Sequence, residues 1–338
     1  MKRGDLTHIR TLYIGGGTPT YWGHARLVEL GYLLSLSIML EQVQEYTLEA
    51  NPESLTTTLV NDLYALGVNR LSLGVQSFVD SELASLGRIH DAAQAISAVA
   101  CARGRFGNIS LDLMCGIPGQ TKASWQYTLE QALQLAPEHL SVYPLQIEEG
   151  TPLAQQVGQG MGQGTASCPT SMGQEAVPCP MLPDEDEQAE FMELAADFLN
   201  RHGYHRYEVA SYAKPGYESK HNTGYWTGVS YLGLGRGAAS MFNLPDGTRQ
   251  RRKNGEEPEL LSAEETCAED LFLAMRMARG VSDEQLVRAS VLLPQVSDVF
   301  NELQSLGLIA FCDNYWQPTK KGWLLGNELY ARIWSLAL

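Results

Sequence analysis

The sequence lacks three features that would each have assigned it to a familiar class. It has no excess of basic residues: 39 acidic residues against 24 Lys and Arg give a formal net charge of −15 at pH 7, which argues against broad binding to nucleic acid or anionic membrane. Its most apolar stretch, residues 30–40, is bounded by Glu29 and Glu41 and is too short to cross a bilayer. None of its six cysteines forms a CxxC or CxxxCxxC spacing, so spacing alone predicts no compact metal site.

The first ten residues, MKRGDLTHIR, carry positive charge, but no apolar segment follows as it would in a secretory signal. We therefore expect a cytoplasmic protein with free thiols and no integral membrane segment.

Short apolar runs alternate with helical patterns between residues 10 and 145, which predicts βαβ units and a parallel sheet. The predicted strands are TLYI, EYTLEA, RLSLGV, ISLDLM and HLSVYPL, and the predicted helices are Ala25–Leu40, Thr56–Leu66, Asp80–Leu86, Ala92–Arg103 and Lys122–Leu135. Four of the strands run into glycine-rich or polar text: GGGTP, EANPE, GVQS and DLMCGIPG. Because ligands of such folds bind at the carboxyl ends of the strands, we expect a site there.

The remainder of the chain changes character three times. Residues 155–182 are rich in Gly, Gln, Ser and Pro and predict a flexible insertion. A helix is predicted after Pro183, with acidic residues suited to its N-terminal end. Residues 204–255 indicate strands and loops. From Ser262 onward, helices followed by a strand pair in LIAFCDNYWQPT are typical of a winged-helix module.

The loop Gly15-Gly16-Gly17-Thr18-Pro19-Thr20 matches neither of two common phosphate-binding patterns. A GxGxxG fingerprint would need Gly at position 20, and a P-loop would need a Gly-Lys-Ser/Thr ending. Three glycines still allow positive φ angles and a close approach of backbone to a ligand. The alternative is a tight strand-to-helix turn that binds nothing.

Six stretches in order carry a family resemblance: YIGGGTP, LEANPE, GVNRLSLGVQSF, LGRIHD, LDLMCGIPGQT and HLSVYPLQIEEGTPL. They resemble the radical S-adenosylmethionine (SAM) superfamily, within it the branch that is similar to oxygen-independent coproporphyrinogen III oxidase. The further stretch YEVASYAKPGYESKHNTGYW is most similar to the HemW type of heme chaperone. The resemblance covers nearly the whole chain apart from residues 155–182.

The resemblance implies an α/β fold: a partial, open TIM-like (β/α) barrel of radical SAM type, with a C-terminal winged-helix-like α+β module. The corresponding segments are a partial barrel over 1–150, the insertion over 151–183, the end of the barrel and the HNxxYW region over 184–255, and the C-terminal domain over 256–338.

The resemblance also implies a set of SAM-binding residues. Glu49 corresponds to a carboxylate that accepts hydrogen bonds from the ribose hydroxyls, and Arg88 is suited to gripping a carboxylate with two parallel bonds. The full set is Gly15, Gly16, Gly17 and Thr18 for the methionine amino group, Glu49 for the ribose, and Gln76, Arg88 and Asp112 for the methionine carboxylate and nearby groups. The alternatives are helix N-caps for the two acidic residues and a surface ion pair for Arg88.

Members of the superfamily hold a 4Fe-4S cluster through CxxxCxxC, some dozens of residues before the glycine loop. Only fourteen residues precede Gly15 here and none is cysteine, so we expect the first β/α unit to be absent and the cluster not to bind. Cys115 lies near a predicted strand end, but it offers one thiolate where three are needed.

HNTGYW corresponds to a motif, HNxxYW, that is associated with heme binding. His221 can ligate iron, Tyr225 and Trp226 offer flat apolar surface to a porphyrin, and Lys214 and Lys220 can meet propionates. Asn222 completes the predicted heme-binding set. The alternative is a loop whose rings pack under the barrel. Ala239 is a departure, since the resemblance leads us to expect histidine there.

Three functions remain open from the sequence. The first is a HemW-like heme chaperone that binds SAM and heme, with heme or porphyrin and heme-recipient proteins as partners and a homodimer possible. The second is an oxygen-independent coproporphyrinogen III oxidase, and the third is a degenerate barrel without catalytic activity.

Overall fold

The computed structural model describes residues 8–148, 150–151, 153–155 and 182–338. The predicted insertion falls almost entirely outside these residues. The described chain divides into two compact units. Of the described residues, the first unit contains those within 8–16, Ile38–Tyr46 and Tyr204–Leu338, and the second contains Gly17–Ser37 and those within 47–203.

The second unit is built on parallel strands in chain order, with helices between them. Its strands are β2 (Glu45–Ala50, which starts in the first unit), β3 (Arg70–Gln76), β4 (Ile109–Cys115) and β5 (His139–Pro144). Its helices are α1 (His24–Ser35), α2 (Thr57–Ala65), α3 (Asp80–Ser85), α4 (Ala92–Arg103), α5 (Lys122–Gln134) and α6 (Glu185–Arg201). The predicted parallel βαβ organisation is confirmed.

Local chemistry places the helix starts where the sequence predicts them. Asp91 accepts a hydrogen bond from the Gln94 amide while the Gln94 side chain accepts from the Asp91 amide, which forms a capping box at the start of α4. The same reciprocal arrangement, made by Asp184 and Glu187, begins α6 directly after Pro183. Helix α1 ends five residues earlier than predicted because the Ser35 hydroxyl bonds back to the Tyr32 carbonyl and competes with continued helix.

The sheet of the second unit has two chemically different faces. On one face aliphatic side chains are fully buried: Leu71, Leu73, Ile109, Leu111, Leu113, Leu140 and Val142. On the other face every strand carries polar residues at alternate positions: Thr47 and Glu49, Arg70 and Ser72, Ser110 and Asp112, His139 and Ser141. Because side chains alternate along a strand, this polar face is a property of the sequence itself, and it is where a polar ligand can be held.

The first unit contains short strands, one short helix and a helical module. Its elements before residue 262 are β1 (Thr11–Ile14), β6 (His205–Arg206), β7 (Ser211–Ala213), α7 (Lys220–Trp226), β8 (Ala239–Asn243), β9 (Arg249–Lys253) and β10 (Glu259–Leu261). Strands β8, β9 and β10 form an antiparallel sheet in the order β10-β9-β8.

The C-terminal module has the predicted winged-helix-like order. It consists of α8 (Ala263–Ala274), β11 (Val281–Ser282), α9 (Asp283–Ala289), α10 (Val296–Ser305), β12 (Ile309–Cys312), β13 (Tyr315–Pro318), α11 (Lys320–Leu324) and α12 (Gly326–Trp334). The hairpin between β12 and β13 turns at Asp313 and Asn314, both with positive φ, as a two-residue type I′ turn requires. Within the described residues, no helix is both long and apolar enough to cross a membrane.

Candidate functional site

The glycine loop opens the first candidate site. Gly16 and Gly17 have φ of 83° and 131°, a region that side chains rarely allow. A Cβ at either position would meet nothing within 4 Å, so backbone conformation, rather than crowding, requires glycine there. Next to them the Thr18 hydroxyl accepts a 3.0 Å hydrogen bond from the Asn51 amide nitrogen. The loop after β1 and the end of β2 are therefore tied together in the second unit.

The end of β3 is shaped by a close approach. A Cβ on Gly74 would lie 2.9 Å from Asn51 Oδ1 and 3.1 Å from Gln76 Nε2, so both polar side chains rest on this glycine. The register with β4 shifts between Leu73 and Gln76, and Gln76 itself has φ of 67°. A non-glycine residue in the left-handed region costs about 1 kcal/mol or more and tends to occur at functional sites. The strained backbone turns Gln76 out of the regular alternation at the strand end.

Arg88 lines a pocket of about 320 Å³ in the second unit. The other lining residues are Tyr21, Asn51, Glu53, Leu86, Gly87 and Ile89. A guanidinium group, an amide and a carboxylate thus face one space, which suits a ligand that carries both an amino and a carboxylate group.

Two of these lining residues, Tyr21 and Glu53, form a hydrogen-bonded chain with the buried His90. The Tyr21 hydroxyl donates to Glu53, whose other oxygen lies 3.0 Å from His90 Nδ1. His90 Nε2 lies 3.2 Å from the Val75 carbonyl, which can only accept, so Nε2 carries a hydrogen. A proton must therefore also lie between Nδ1 and the carboxylate. Burial acts against ionisation of Glu53, but the hydrogen bonds from Tyr21 and His90 hold its pKa below the ordinary value.

Asp112 lies on the polar face of the sheet. The Ser72 hydroxyl lies 3.2 and 3.3 Å from its two carboxylate oxygens, and Glu49 is the register neighbour of Ser72. Burial raises the pKa of Asp112 to about 6, and the charge of Glu49 adds to the rise. These two carboxylates therefore share the polar face of the sheet, Glu49 near the end of β2 and Asp112 at the middle of β4.

Cys115 does not lie at the site. It is buried on the opposite, apolar face of β4, where its thiol contacts the Met192 sulfur at 3.4 Å. Burial raises the pKa of this thiol to about 12, so it stays protonated. Within the described residues, no three His, Cys, Asp or Glu side chains come together as a metal site. The described part of the chain therefore offers no group of three thiolates of the kind that holds a 4Fe-4S cluster.

The HNxxYW motif forms the second candidate site, in the first unit. The motif is helical and forms α7, so the alternative interpretation of it as a loop is not what the structure has. The Ser219 hydroxyl caps its first turn by accepting from the Asn222 amide at 3.3 Å. The decisive partner is Glu45, at the start of β2. Its buried carboxylate accepts hydrogen bonds from the Ser219 hydroxyl at 3.2 Å and from the Lys220 and His221 amides at 2.8 and 2.9 Å.

His221 lies in a group of aromatic rings. It stacks on Tyr13, with ring centroids 4.9 Å apart, and meets the edge of Tyr225 at 4.8 Å. Its Nδ1 lies 2.9 Å from the Thr11 hydroxyl and its Nε2 lies 3.0 Å from the Tyr225 hydroxyl. Tyr231 packs edge-on against Tyr225 at 4.6 Å. Both nitrogens of the imidazole are therefore engaged.

Trp226 has a different environment from the other rings of the motif. Its indole N–H donates to Glu208 at 3.1 Å, and the Arg276 guanidinium lies 5.0 Å from its ring centre. Arg276 also lies 4.7 Å from the ring centre of Tyr330 in α12. Trp226 therefore ties the end of α7 to the C-terminal module, which is a packing role compatible with the predicted site.

The remaining predicted positions are dispersed. Lys220 is exposed at the start of α7, Lys214 lies 5.4 Å from the ring centre of Tyr204, and Ala239 is exposed at the start of β8. An ion-pair network around the buried Arg249 lies at the other end of α7; Glu269 in it is buried, whereas the Asp270 side chain is half exposed. Arg249 donates to Glu269 and Asp270, each at 2.6 Å, and a Cβ on Gly228, two residues after the motif, would come within 2.7 Å of Asp270 Oδ1.

Sequence reasoning missed Asn51, Tyr21, Glu53 and His90 at the first site and Glu45 at the second. A signal existed for three of them, because Asn51 and Glu53 fall inside the quoted stretch LEANPE and His90 falls inside the quoted stretch LGRIHD. Glu45 gave none: it opens a strand 174 residues before its nearest partner.

Replacing Glu45 by Gln is expected to loosen the start of α7. In wild type each of the two backbone N–H groups donates to a carboxylate oxygen of Glu45. In the variant the NH2 group of glutamine would face one of these N–H groups, and the loss of a charge-assisted hydrogen bond of this kind lowers the local stability of the helix by about 2 kcal/mol. Hydrogen exchange of the peptide over residues 217–227, followed by mass spectrometry, should speed up by about tenfold or more. Glu41→Gln, at an exposed position four residues earlier, serves as the control. Unchanged exchange in Glu45→Gln would show that the carboxylate does not hold the helix.

Comparison with known proteins shows which class of proteins shares this fold. The family model of the Radical SAM superfamily matches residues 2–132, and that of the HemN C-terminal domain matches residues 261–325. A solved structure described as coproporphyrinogen III oxidase (HemN) from Escherichia coli, a radical SAM enzyme, superposes with a TM-score of 0.75 at 21% identity. The match covers 98% of this chain and 80% of that one. The fold is thus that of the radical SAM class.

Sequence relatives narrow the class. Heme chaperone HemW of Bacillus subtilis (strain 168) is 32% identical over 96% of this chain and 85% of its own length. Heme chaperone HemW of Escherichia coli (strain K12) is 31% identical over 95% of this chain and 83% of its own length. The chain belongs to the HemW family of radical SAM proteins.

Proposed function

We propose that this protein is a heme chaperone that binds heme through the α7 region of the first unit and SAM at the strand ends of the second. The observation that carries the proposal is the match, over almost the whole chain, to proteins named heme chaperone HemW. The match to the coproporphyrinogen III oxidase, at 21% identity, supports a common fold. It does not favour the oxidase reaction, an oxidative decarboxylation, over the chaperone function.

The donor set of the second unit supports SAM as the ligand. SAM supplies a sulfonium-linked adenosyl group and carries an amino acid and two ribose hydroxyls. Arg88 would grip the carboxylate, Thr18 and the glycine loop would meet the amino group, and Glu49 would accept from the ribose. Gln76 and Asp112 complete the polar lining. In this assignment the chain binds and orients the ligand through groups that are already positioned by hydrogen bonds with Asn51 and Ser72.

The first unit supports heme as the cargo. Tyr13, His221 and Tyr225 offer aromatic surface together with nitrogen and oxygen atoms of the kinds that bind heme iron. Lys220 is exposed beside them and can meet a propionate. Asn222 and Trp226 would shape the site by holding α7 in place, through the Ser219 cap and the Glu208 bond respectively.

Arg88→Ala is expected to lower the affinity for SAM by about 10- to 100-fold, since a charge-assisted bond contributes about 1.5–3 kcal/mol. Isothermal titration calorimetry of the purified chain with SAM measures this directly. Arg88→Lys should recover only part of the loss because a lysine cannot make two parallel bonds. Arg26→Ala, which removes an exposed arginine of the same unit, should have no effect. Equal affinity in wild type and Arg88→Ala would exclude Arg88 from the site.

The chaperone function is tested by titrating hemin into the purified chain and then offering apomyoglobin as a generic acceptor. We expect saturable binding of one heme per chain and transfer to the acceptor. Absence of saturable binding would favour the third possibility, a degenerate barrel without a cargo.

A further inference from the structure

The surroundings of His221 conflict with its simplest role as the iron ligand. Nε2 is hydrogen-bonded to the Tyr225 hydroxyl at 3.0 Å and Nδ1 to the Thr11 hydroxyl at 2.9 Å. Either nitrogen would have to lose its partner before it could coordinate iron. The imidazole is also held in place by stacking on Tyr13 at an interplanar angle of 19°. The geometry fixes this ring as a hydrogen-bonding group.

Both partners of the ring are hydroxyls, which can donate or accept, so either neutral tautomer fits the two distances. In the tautomer with its hydrogen on Nδ1, the ring donates to Thr11 Oγ1 and the Tyr225 hydroxyl donates to Nε2. In this arrangement Tyr225 uses its only hydrogen toward His221 and keeps its oxygen lone pairs for another group. The hydroxyl and the imidazole thus form an acid–base pair across 3.0 Å.

We propose that Tyr225 is the ligand of ferric heme iron and that His221 is the base that makes it a phenolate, an inference that rests on the proposed heme-binding function. As the bond from the phenolate oxygen to Fe(III) forms, the O–H bond of Tyr225 breaks and its proton passes to Nε2. His221 becomes an imidazolium that keeps its Nδ1 hydrogen on Thr11. No electron moves, and the charge of the pair is unchanged by the proton transfer.

Two features make the pair suitable. Tyrosinate is a known protein ligand of heme iron, and its anionic oxygen prefers Fe(III) to Fe(II). The Tyr225 hydroxyl lies 3.0 Å from His221 Nε2, so an acceptor for its proton is already in place when the oxygen binds iron. The site should therefore select ferric heme over ferrous heme.

The test is a hemin titration followed by resonance Raman and absorbance spectroscopy on wild type, Tyr225→Phe, His221→Gln and Tyr217→Phe. Wild type should show phenolate vibrations and a phenolate-to-iron charge-transfer band. It should also bind ferric heme about tenfold or more tightly than ferrous heme. Tyr225→Phe, which keeps the ring, should lose the phenolate signals. His221→Gln should keep them with weaker binding, and Tyr217→Phe, at an exposed tyrosine of the same unit, should match wild type.

The possible failures are distinguishable. If wild type binds hemin saturably, but with signals that survive in Tyr225→Phe and vanish in His221→Gln, then His221 is the ligand and the inference is wrong. If wild type does not bind hemin saturably at all, the proposed function itself fails. Circular dichroism of each variant identifies a loss of fold. If Tyr225→Phe or His221→Gln does not fold, the variant Tyr13→Phe replaces it in the test. This variant keeps both the Tyr225 hydroxyl and the His221 imidazole, so it must still show the phenolate signals for the inference to stand.

Discussion

Replacing Asp112 by Asn is expected to stabilise the protein by about 3 kcal/mol at pH 8 while weakening SAM binding by about tenfold or more. The physical reason for the gain is the burial of this carboxyl, which raises its pKa from an ordinary 3.8 to about 6. The hydrogen bond from Ser141, the charge of Arg70 and the bond from Ser72 act in the opposite direction without cancelling the effect. The folded protein thus tolerates a carboxylate that would ionise more readily in the unfolded chain.

The sign of the pH dependence follows from which state holds more protons. Between about pH 4 and pH 6 the folded state keeps the Asp112 proton and the unfolded state has lost it, so stability falls as pH rises through this range. Above pH 6 the full cost of about 3 kcal/mol is present, and below pH 4 it shrinks to under about 1 kcal/mol. The neutral asparagine removes this slope.

Urea denaturation at pH 8, 6 and 4 measures the difference, with calorimetric titration of SAM on the same samples. Asp298→Asn, at an exposed position, is the matched control and should change stability by less than about 0.5 kcal/mol. A stabilised variant that no longer binds SAM would mean that the carboxylate is kept for function at a cost in stability. An Asp112→Asn protein no more stable than wild type at pH 8 would contradict the buried position of the charge.

The strands and helices between residues 10 and 145 could be predicted because they depend on local pattern. TLYI, EYTLEA and Ala92–Arg103 were placed to the residue, since alternation, capping residues and turn glycines all lie within a few positions of the element they define. The family resemblance supplied the motif residues. The resemblance could not predict the hydrogen-bond partners of those residues, because these partners lie far away in the chain.

His221 shows this limit most clearly. The sequence predicts a histidine with aromatic neighbours, which suggests an imidazole ready to bind iron. The structure places Thr11 on one nitrogen and Tyr225 on the other, and only the second partner lies within the motif. Trp226 shows the same limit. As a motif residue it is predicted to pack against a porphyrin, but its contacts in the structure are with Glu208 and Arg276.

Arg249 is a buried arginine near the C-terminal end of α7. Of the substitutions considered, its replacement is expected to lower the free energy of unfolding the most. Arg249 is 1% exposed, and its three guanidinium nitrogens all donate: to Asn243 at 2.8 Å and to Glu269 and Asp270 at 2.6 Å. Arg249→Met would leave the buried Glu269 with only Arg251 as a partner. Breaking a buried ion pair by removing one partner costs about 3–5 kcal/mol.

Urea denaturation of Arg249→Met against Arg252→Met tests this, because Arg252 lies in the same strand but is exposed. Replacing Glu269 by Gln in the Arg249→Met background should recover part of the loss, since the neutral amide no longer leaves a charge short of a partner. The site readout is hemin affinity. Arg249 holds Asp270, whose carboxylate packs against Gly228, two residues after the end of α7. If Asp270 moves when Arg249 is lost, we expect the end of α7, which carries Tyr225, to move with it. If Arg249→Met unfolds no more easily than Arg252→Met, the network adds nothing to stability, and α7 is held by Glu45, the Ser219 cap and the Trp226 contacts without it.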